Sequence, residues 1–125
     1  MRIVSLIARY LLAVMFLVFG FNGFFHFIPM PPMPGLPGQF MGAMFASHMY
    51  VVIFLLQILS GLLLLIGRYV PLALVLLGPV LFNILTFHIF MNPGGIGAGA
   101  FATILWFVVF ASVRSNFAGI FAAKA

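Results

Sequence analysis

Three histidines, His26, His48 and His88, are the side chains of this sequence whose ordinary pKa lies near neutrality. Asn22 precedes His26 by four residues, so on a helix the two share a face. A neutral imidazole beside a carboxamide can donate to or accept from a carbonyl or hydroxyl, and it can couple a proton to a redox change. Asn83 and His88 offer the same groups, but about 140° apart around a helix, so they do not form one stripe. Phe24, Phe25, Phe87 and Phe90 lie beside these residues and could wall an apolar slot, the form that small-molecule sites take. The expected ligand-binding set is therefore His26, His88, Asn22 and Asn83.

Metal chemistry is the competing use of the same residues. Met30 and Met33, and Met41 and Met44, have Met-x-x-Met spacing, and Met49 and Met91 lie near His48 and His88. Soft thioethers with imidazole suit Cu(I), which would make His26, His48 and His88 metal ligands. Two histidines on facing helices can also ligate haem iron. The plainer alternative is that these polar groups join helices by hydrogen bonds and that methionine fills space around prolines.

Much other chemistry is excluded. The 125 residues include no Asp, Glu or Cys. That removes paired-carboxylate acid–base catalysis, thiol nucleophiles, disulfides and carboxylate cages for magnesium or calcium. The five Lys and Arg residues give a net charge of +5. They are scattered, form no basic patch and accompany no nucleic-acid motif, so no nucleic-acid partner is expected.

The elements that position these groups follow from composition. The chain is 66% hydrophobic and 4% charged, against roughly 25% charged in soluble domains. It could not keep a water-facing surface, and its solvent is lipid. Four apolar segments are long enough to span, at about 3–28, 48–66, 70–91 and 98–113, forming one domain over 1–125. The first is too long for a signal-peptide core and lacks a cleavage site, so it reads as a retained helix. Pro29 to Gly38 carries five prolines and forbids helix. Gln39 to Ser47 reads as a short interfacial helix or an extension of the second span. Pro71 sits in a first turn, and Pro79 inside the third span predicts a kink. Asn92 to Gly99 is a glycine-rich turn that matches no phosphate-binding motif. The tail from Ser115 reads as interfacial.

Arg2, Arg9, Arg68, Arg114 and Lys124 all fall on one side of a four-helix path, and the uncharged loops fall on the other. The positive-inside rule then places both termini in the cytoplasm of a bacterial-type inner (plasma) membrane. Arg9, two turns into the first span, is expected to snorkel to the inner headgroups. All three histidines then sit near the outer surface. Gln57, Ser60 and Gly61 form a small, polar stripe suited to close helix packing, as do Gly20 and Gly23.

The run Ala8-Arg-Tyr-Leu-Leu, continuing to Phe19-Gly-Phe-Asn-Gly-Phe-Phe-His-Phe-Ile-Pro29, resembles the first helix of the DoxX family. The Leu62-Leu-Leu-Leu-Ile-Gly-Arg68 and Asn83-Ile-Leu-Thr-Phe-His-Ile-Phe90 runs are similar to it too. The resemblance covers nearly the whole chain. It implies a four-helix membrane bundle, and some members are linked to thiosulfate:quinone oxidoreductase or other redox complexes. By the resemblance, His26, Asn83 and His88 fall on family-like positions. Many relatives carry an acid in the second helix where this chain has Gln57, so a pairing with Arg9 is reduced here to a hydrogen bond.

The expectation is an all-α, up-down-up-down membrane bundle. Its expected role is an accessory or structural subunit of a membrane redox system with a quinone or isoprenoid site near the outer face, and no catalysis alone. Two alternatives stay open: a Cu(I)-binding protein using His and Met, and a purely structural subunit of a larger complex. Expected partners are the lipid bilayer and other membrane subunits or a second copy.

Overall fold

A computed structural model describes residues 2–28 and 33–124. Pro29, Met30, Pro31 and Pro32, with one methionine of the first Met-x-x-Met pair, lie outside the described residues. Among the described residues five α-helices form: α1 (Arg2–Phe25), α2 (Leu36–Ala46), α3 (Met49–Ile66), α4 (Val70–Phe90) and α5 (Ile96–Val113). A 3-10 turn at Pro93–Gly95 leads into α5, and another at Arg114–Phe117 follows it.

Four of these helices, α1, α3, α4 and the α5 unit, are long and apolar enough to cross a membrane. At 1.5 Å per residue, the 18-residue α3 is about 27 Å long, close to the hydrocarbon thickness of a bilayer. The fifth helix, α2, is the short element the sequence left between two readings. It is separate from α3, because Ser47 and His48 break the chain between them. α1 ends at Phe25, three residues short of the expected boundary, and α5 starts two residues early.

The spanning helices form a ring in chain order. α1 packs on α3 and α5, and α4 packs on α3 and α5. The α1–α3 contact is the most intimate, and glycine makes it so. A methyl group at Gly20 would stand 2.7 Å from the Ile58 side chain and 3.2 Å from the Phe54 carbonyl oxygen. One at Gly23 would run into the Phe54 ring. Gly61 gives the same clearance from the α3 side, against Leu17 and the Ala13 carbonyl. Small residues thus let the two backbones approach, the packing mode available where lipid removes the hydrophobic drive between helices.

The core between the four helices is built from Leu12, Phe16, Leu64, Leu74, Leu77 and Val109, all fully buried. Large apolar side chains such as Ile3, Val52, Phe82 and Phe107 face outward. Outward-facing apolar residues on a barely charged chain are what a lipid-solvated bundle requires. α4 continues as a helix through Pro79. Arg2, Arg9, Arg68 and Arg114 lie at the end of the bundle where α1 begins, α3 turns into α4, and α5 finishes.

Candidate functional site

The histidines occupy helix ends, and two of them do so in the left-handed backbone region. His26 follows the last residue of α1 with φ 52°, and His48 precedes α3 with φ 67°. Asn22 organises the first of these ends. Its backbone carbonyl accepts the His26 N–H at 2.8 Å. Its side-chain Oδ1 accepts the Ile28 N–H at 2.8 Å. Asn22 and His26 meet through the backbone bond rather than on one helix face, because His26 already lies outside α1, and there they close a helix whose final carbonyls and following amides need partners.

Around them lies a continuous set of rings. His26 is 5.5 Å from Phe45, Phe45 is 4.8 Å from Tyr50, and His48 is 6.2 Å from Tyr50. Phe24 and Phe54 extend the cluster on the bundle side. Phe25, expected as a wall, is instead 71% exposed and stacks on Phe21.

His88 stands apart. Its Nδ1 lies 2.8 Å from the Ile84 carbonyl, one turn back on its own helix. Its ring meets Phe87 edge-on and sits against Gly95, where a methyl group would stand 3.1 Å from Nε2. Asn92 at the same loop donates toward the Met33 sulfur at 3.7 Å. Among the described residues, no three of His, Cys, Asp and Glu gather to hold a metal ion. The structure thus does not bring His26, His48 and His88 together as a three-histidine centre.

Asn83 lies in a surface groove. It lies on α4 with Thr86, Phe87 and Phe90, at i, i+3, i+4 and i+7, so all four share one stripe. Together with Met91 and Phe40 of α2 they line a groove of about 240 Å³. Phe40 and Phe87 lean on each other with ring centres 5.2 Å apart. Asn83 is exposed, and its Nδ2 donates to the Pro79 carbonyl at 2.9 Å. Thr86 Oγ1 lies 3.0 Å from the Phe82 carbonyl and 3.1 Å from that of Asn83. These bonds fix the two side chains while leaving Oδ1 of Asn83 and lone pairs of Thr86 for an incoming donor. By axial rise, Asn83 lies about 10 Å from the end of α4.

Of the four expected ligand residues, the groove receives Asn83 and does not receive Asn22, His26 or His88. Phe87 and Phe90 also line it. Thr86 was missed, although the spacing from Asn83 carried the signal. Phe40 had no such signal, because its place depends on how α2 folds back over α4.

Arg9 and Gln57 are not partners. Arg9 Nη1 donates to the Leu64 carbonyl at 2.8 Å, and its guanidinium lies 4.8 Å from the Tyr10 ring centre. Gln57 is buried on the inner stripe of α3 with Ser60, Gly61 and Leu64. Its Oε1 has no hydrogen-bond partner. Compared with known proteins, the chain matches no family model, no curated protein and no solved structure.

Proposed function

We propose that this is a DoxX-like, multi-pass protein of a bacterial-type inner membrane, with both termini cytoplasmic. Its role in this reading is an accessory subunit of a membrane redox system that holds the ring head of a quinone or related isoprenoid lipid. The observation that carries the reading is the groove at Asn83. It is apolar, aromatic-walled and furnished with two fixed polar groups, the composition that suits a small ring bearing carbonyls or hydroxyls. It is on the outside of the bundle, so a ligand dissolved in the bilayer reaches it without crossing water. The second Nδ2 hydrogen of Asn83 can donate to a quinone carbonyl, and Oδ1 can accept from a quinol hydroxyl.

The charge distribution supports the orientation. Every Arg and Lys lies near one expected face, with no acid anywhere to offset them. The natural absence of cysteine makes this easy to test, since single cysteines placed at Ser5 and Gly94 should label from opposite sides of the membrane.

The binding test is co-purification in lipid nanodiscs followed by extraction and mass spectrometry of isoprenoid lipids. The wild type should retain a quinone or related isoprenoid, and Asn83→Leu and Phe87→Ala should each lower retention at least tenfold. Equal retention by wild type and both variants would remove the groove from the proposal. A wild type that carries no isoprenoid after mild extraction would remove the ligand class.

A further inference from the structure

The dipeptide Arg-Tyr occurs twice, as Arg9-Tyr10 on α1 and as Arg68-Tyr69 in the turn between α3 and α4. The fold brings the two together. Arg9 Nη1 donates to the Leu64 carbonyl at 2.8 Å, and the Arg68 N–H donates to the neighbouring Leu63 carbonyl at 3.2 Å. A methyl group on Gly67, the residue before Arg68, would run into the Arg9 guanidinium and stand 3.3 Å from its Nη2. Both arginines thus belong to one helix end. The antiparallel seam of α1 and α3 sets this register, since Gly23 meets Phe54, Gly20 meets Ile58, and Arg9 meets Leu64 and Gly67. α3 stops there, so the first two turns of α1 project past it by about 10 Å.

The positive charge at this end has no acidic side chain to neutralise it, because the chain contains no Asp or Glu. The C-terminus of α3 supplies only about half a negative charge, against two full positive ones. Arg2 and Arg114 add to the excess at the same end of the bundle. Hydrogen-bond donors are in excess too. A guanidinium presents a fork of N–H groups that matches a phosphate, and Arg9 spends one of them on Leu64. Arg68 is exposed. Tyr10 and Tyr69 are also exposed, and the Tyr10 ring centre lies 4.8 Å from the Arg9 guanidinium carbon. Phenol rings in such places suit the level of lipid headgroups, apolar at one end and wet at the other. Beside the turn, Leu62, Leu65 and Ile66 of α3 and Leu72 of α4 turn apolar side chains outward. A partner for this end therefore needs an anionic head and an apolar body.

We propose that Arg9 and Arg68 bind the phosphate of an anionic phospholipid, whose acyl chains run along the exposed ends of α3 and α4. A free anion would satisfy the arginines and leave the apolar flank uncovered. A zwitterionic lipid would cover the flank, but its own cation would offset the negative charge that the arginines call for. The site rests on immersion of the four long helices in a bilayer. It is separate from the groove at Asn83 and does not depend on what that groove holds.

The test is native mass spectrometry of the full-length protein in neutral detergent, titrated with phosphatidylglycerol or with phosphatidylcholine of the same acyl chains. The wild type should bind phosphatidylglycerol more tightly, by about fivefold or more for each arginine engaged. Arg68→Gln changes an exposed side chain and leaves the backbone bond to Leu63 in place, so the variant folds. It should lose about fivefold in phosphatidylglycerol affinity and keep its affinity for phosphatidylcholine. Lys124→Gln removes the same charge from the tail and should keep the preference whole. Equal binding of the two lipids by the wild type would overturn the proposal. So would an equal loss in Arg68→Gln and Lys124→Gln, which would mean attraction to net charge without a site. Displacement of the lipid by an equal concentration of inorganic phosphate would show a free-anion site and overturn the lipid assignment. Failure of the bilayer reading itself shows elsewhere, in the labelling of cysteines at Ser5 and Gly94, and failure of the groove shows in isoprenoid retention.

Discussion

Arg9 on α1 holds the end of α3, with its Nη1 2.8 Å from the carbonyl of Leu64. α3 stops at Ile66, and the turn through Gly67 uses the Leu63 carbonyl twice, for the N–H groups of Gly67 and Arg68. Leu64 is left with a carbonyl that its own helix cannot satisfy. A cation near a helix C-terminus is also favoured by the helix dipole. The arginine therefore does not simply reach for headgroups, as its position in the sequence suggests. Arg9→Met should lose the charge-assisted bond and lower stability by about 1.5–3 kcal/mol. Arg9→Lys should recover part of that loss, because an ammonium can still donate. Unfolding of detergent-solubilised protein in graded SDS measures both, and equal stability of Arg9→Met and wild type would show the contact to be idle.

Gly23 and Phe54 form the tightest point between α1 and α3. A methyl group on Gly23 has no room beside the Phe54 ring, and the ring is held by Phe24 and Phe45 as well. Gly23→Ala should therefore destabilise by about 1–3 kcal/mol, the usual range for overpacking. The second change Phe54→Leu should restore part of that, since it removes the obstructing ring. Without such coupling between the two sites in the same unfolding assay, the close approach would be of no energetic consequence.

The four long apolar helices were legible because length and apolarity alone mark such segments. The helices Met49–Ile66 and Val70–Phe90 fall within a residue of their expected limits. The packing glycines Gly20, Gly23 and Gly61 were legible too, through their spacing. The partners of polar side chains were not. Arg9 chose a backbone carbonyl over Gln57, and backbone carbonyls carry no mark in a sequence. The histidines share a level by topology, yet level says nothing of azimuth, and His88 turned to its own helix and to Gly95. Phe40 reached the groove only through the fold of α2 over α4, a tertiary event with no local pattern behind it.

His26 and His48 carry left-handed backbone angles, 52° and 67°. For a residue with a Cβ this conformation costs about 1–2 kcal/mol, and glycine adopts it freely. If the two histidines serve only to end and begin helices, His26→Gly and His48→Gly should leave stability unchanged or raise it by up to about 1 kcal/mol. His48→Val should lower it, because a β-branched residue tolerates the conformation least. Asn22→Ala should also lower it, by about 0.5–1.5 kcal/mol, through loss of the bond to the Ile28 N–H. Thermal unfolding followed by circular dichroism separates these outcomes. A marked loss on His26→Gly would show that the imidazole, with its ring 5.5 Å from Phe45, contributes more than the backbone strain removes.

Trp106 of α5 donates from Nε1 to the Leu74 carbonyl of α4 at 3.0 Å. Pro79 has no N–H, so the Val75 carbonyl next to Leu74 loses its usual helical partner, and the proline ring presses on the same turn. The indole thus bonds α4 where its ladder is already interrupted, and it joins two neighbouring helices across the core. Trp106→Phe keeps the stacking on Phe110, whose ring centre is 5.4 Å away, and removes only the donor. It should cost about 0.6–1.7 kcal/mol, the range for polar contacts between helices in a bilayer. Pro79→Ala restores an N–H to pair with Val75 and removes the ring from the turn. Combined with Trp106→Phe it should make the tryptophan substitution less damaging, because a straighter ladder leaves the Leu74 carbonyl better shared with Gly78. A double-variant cycle in SDS unfolding measures that coupling, and strictly additive losses would mean that the indole bond and the proline act independently.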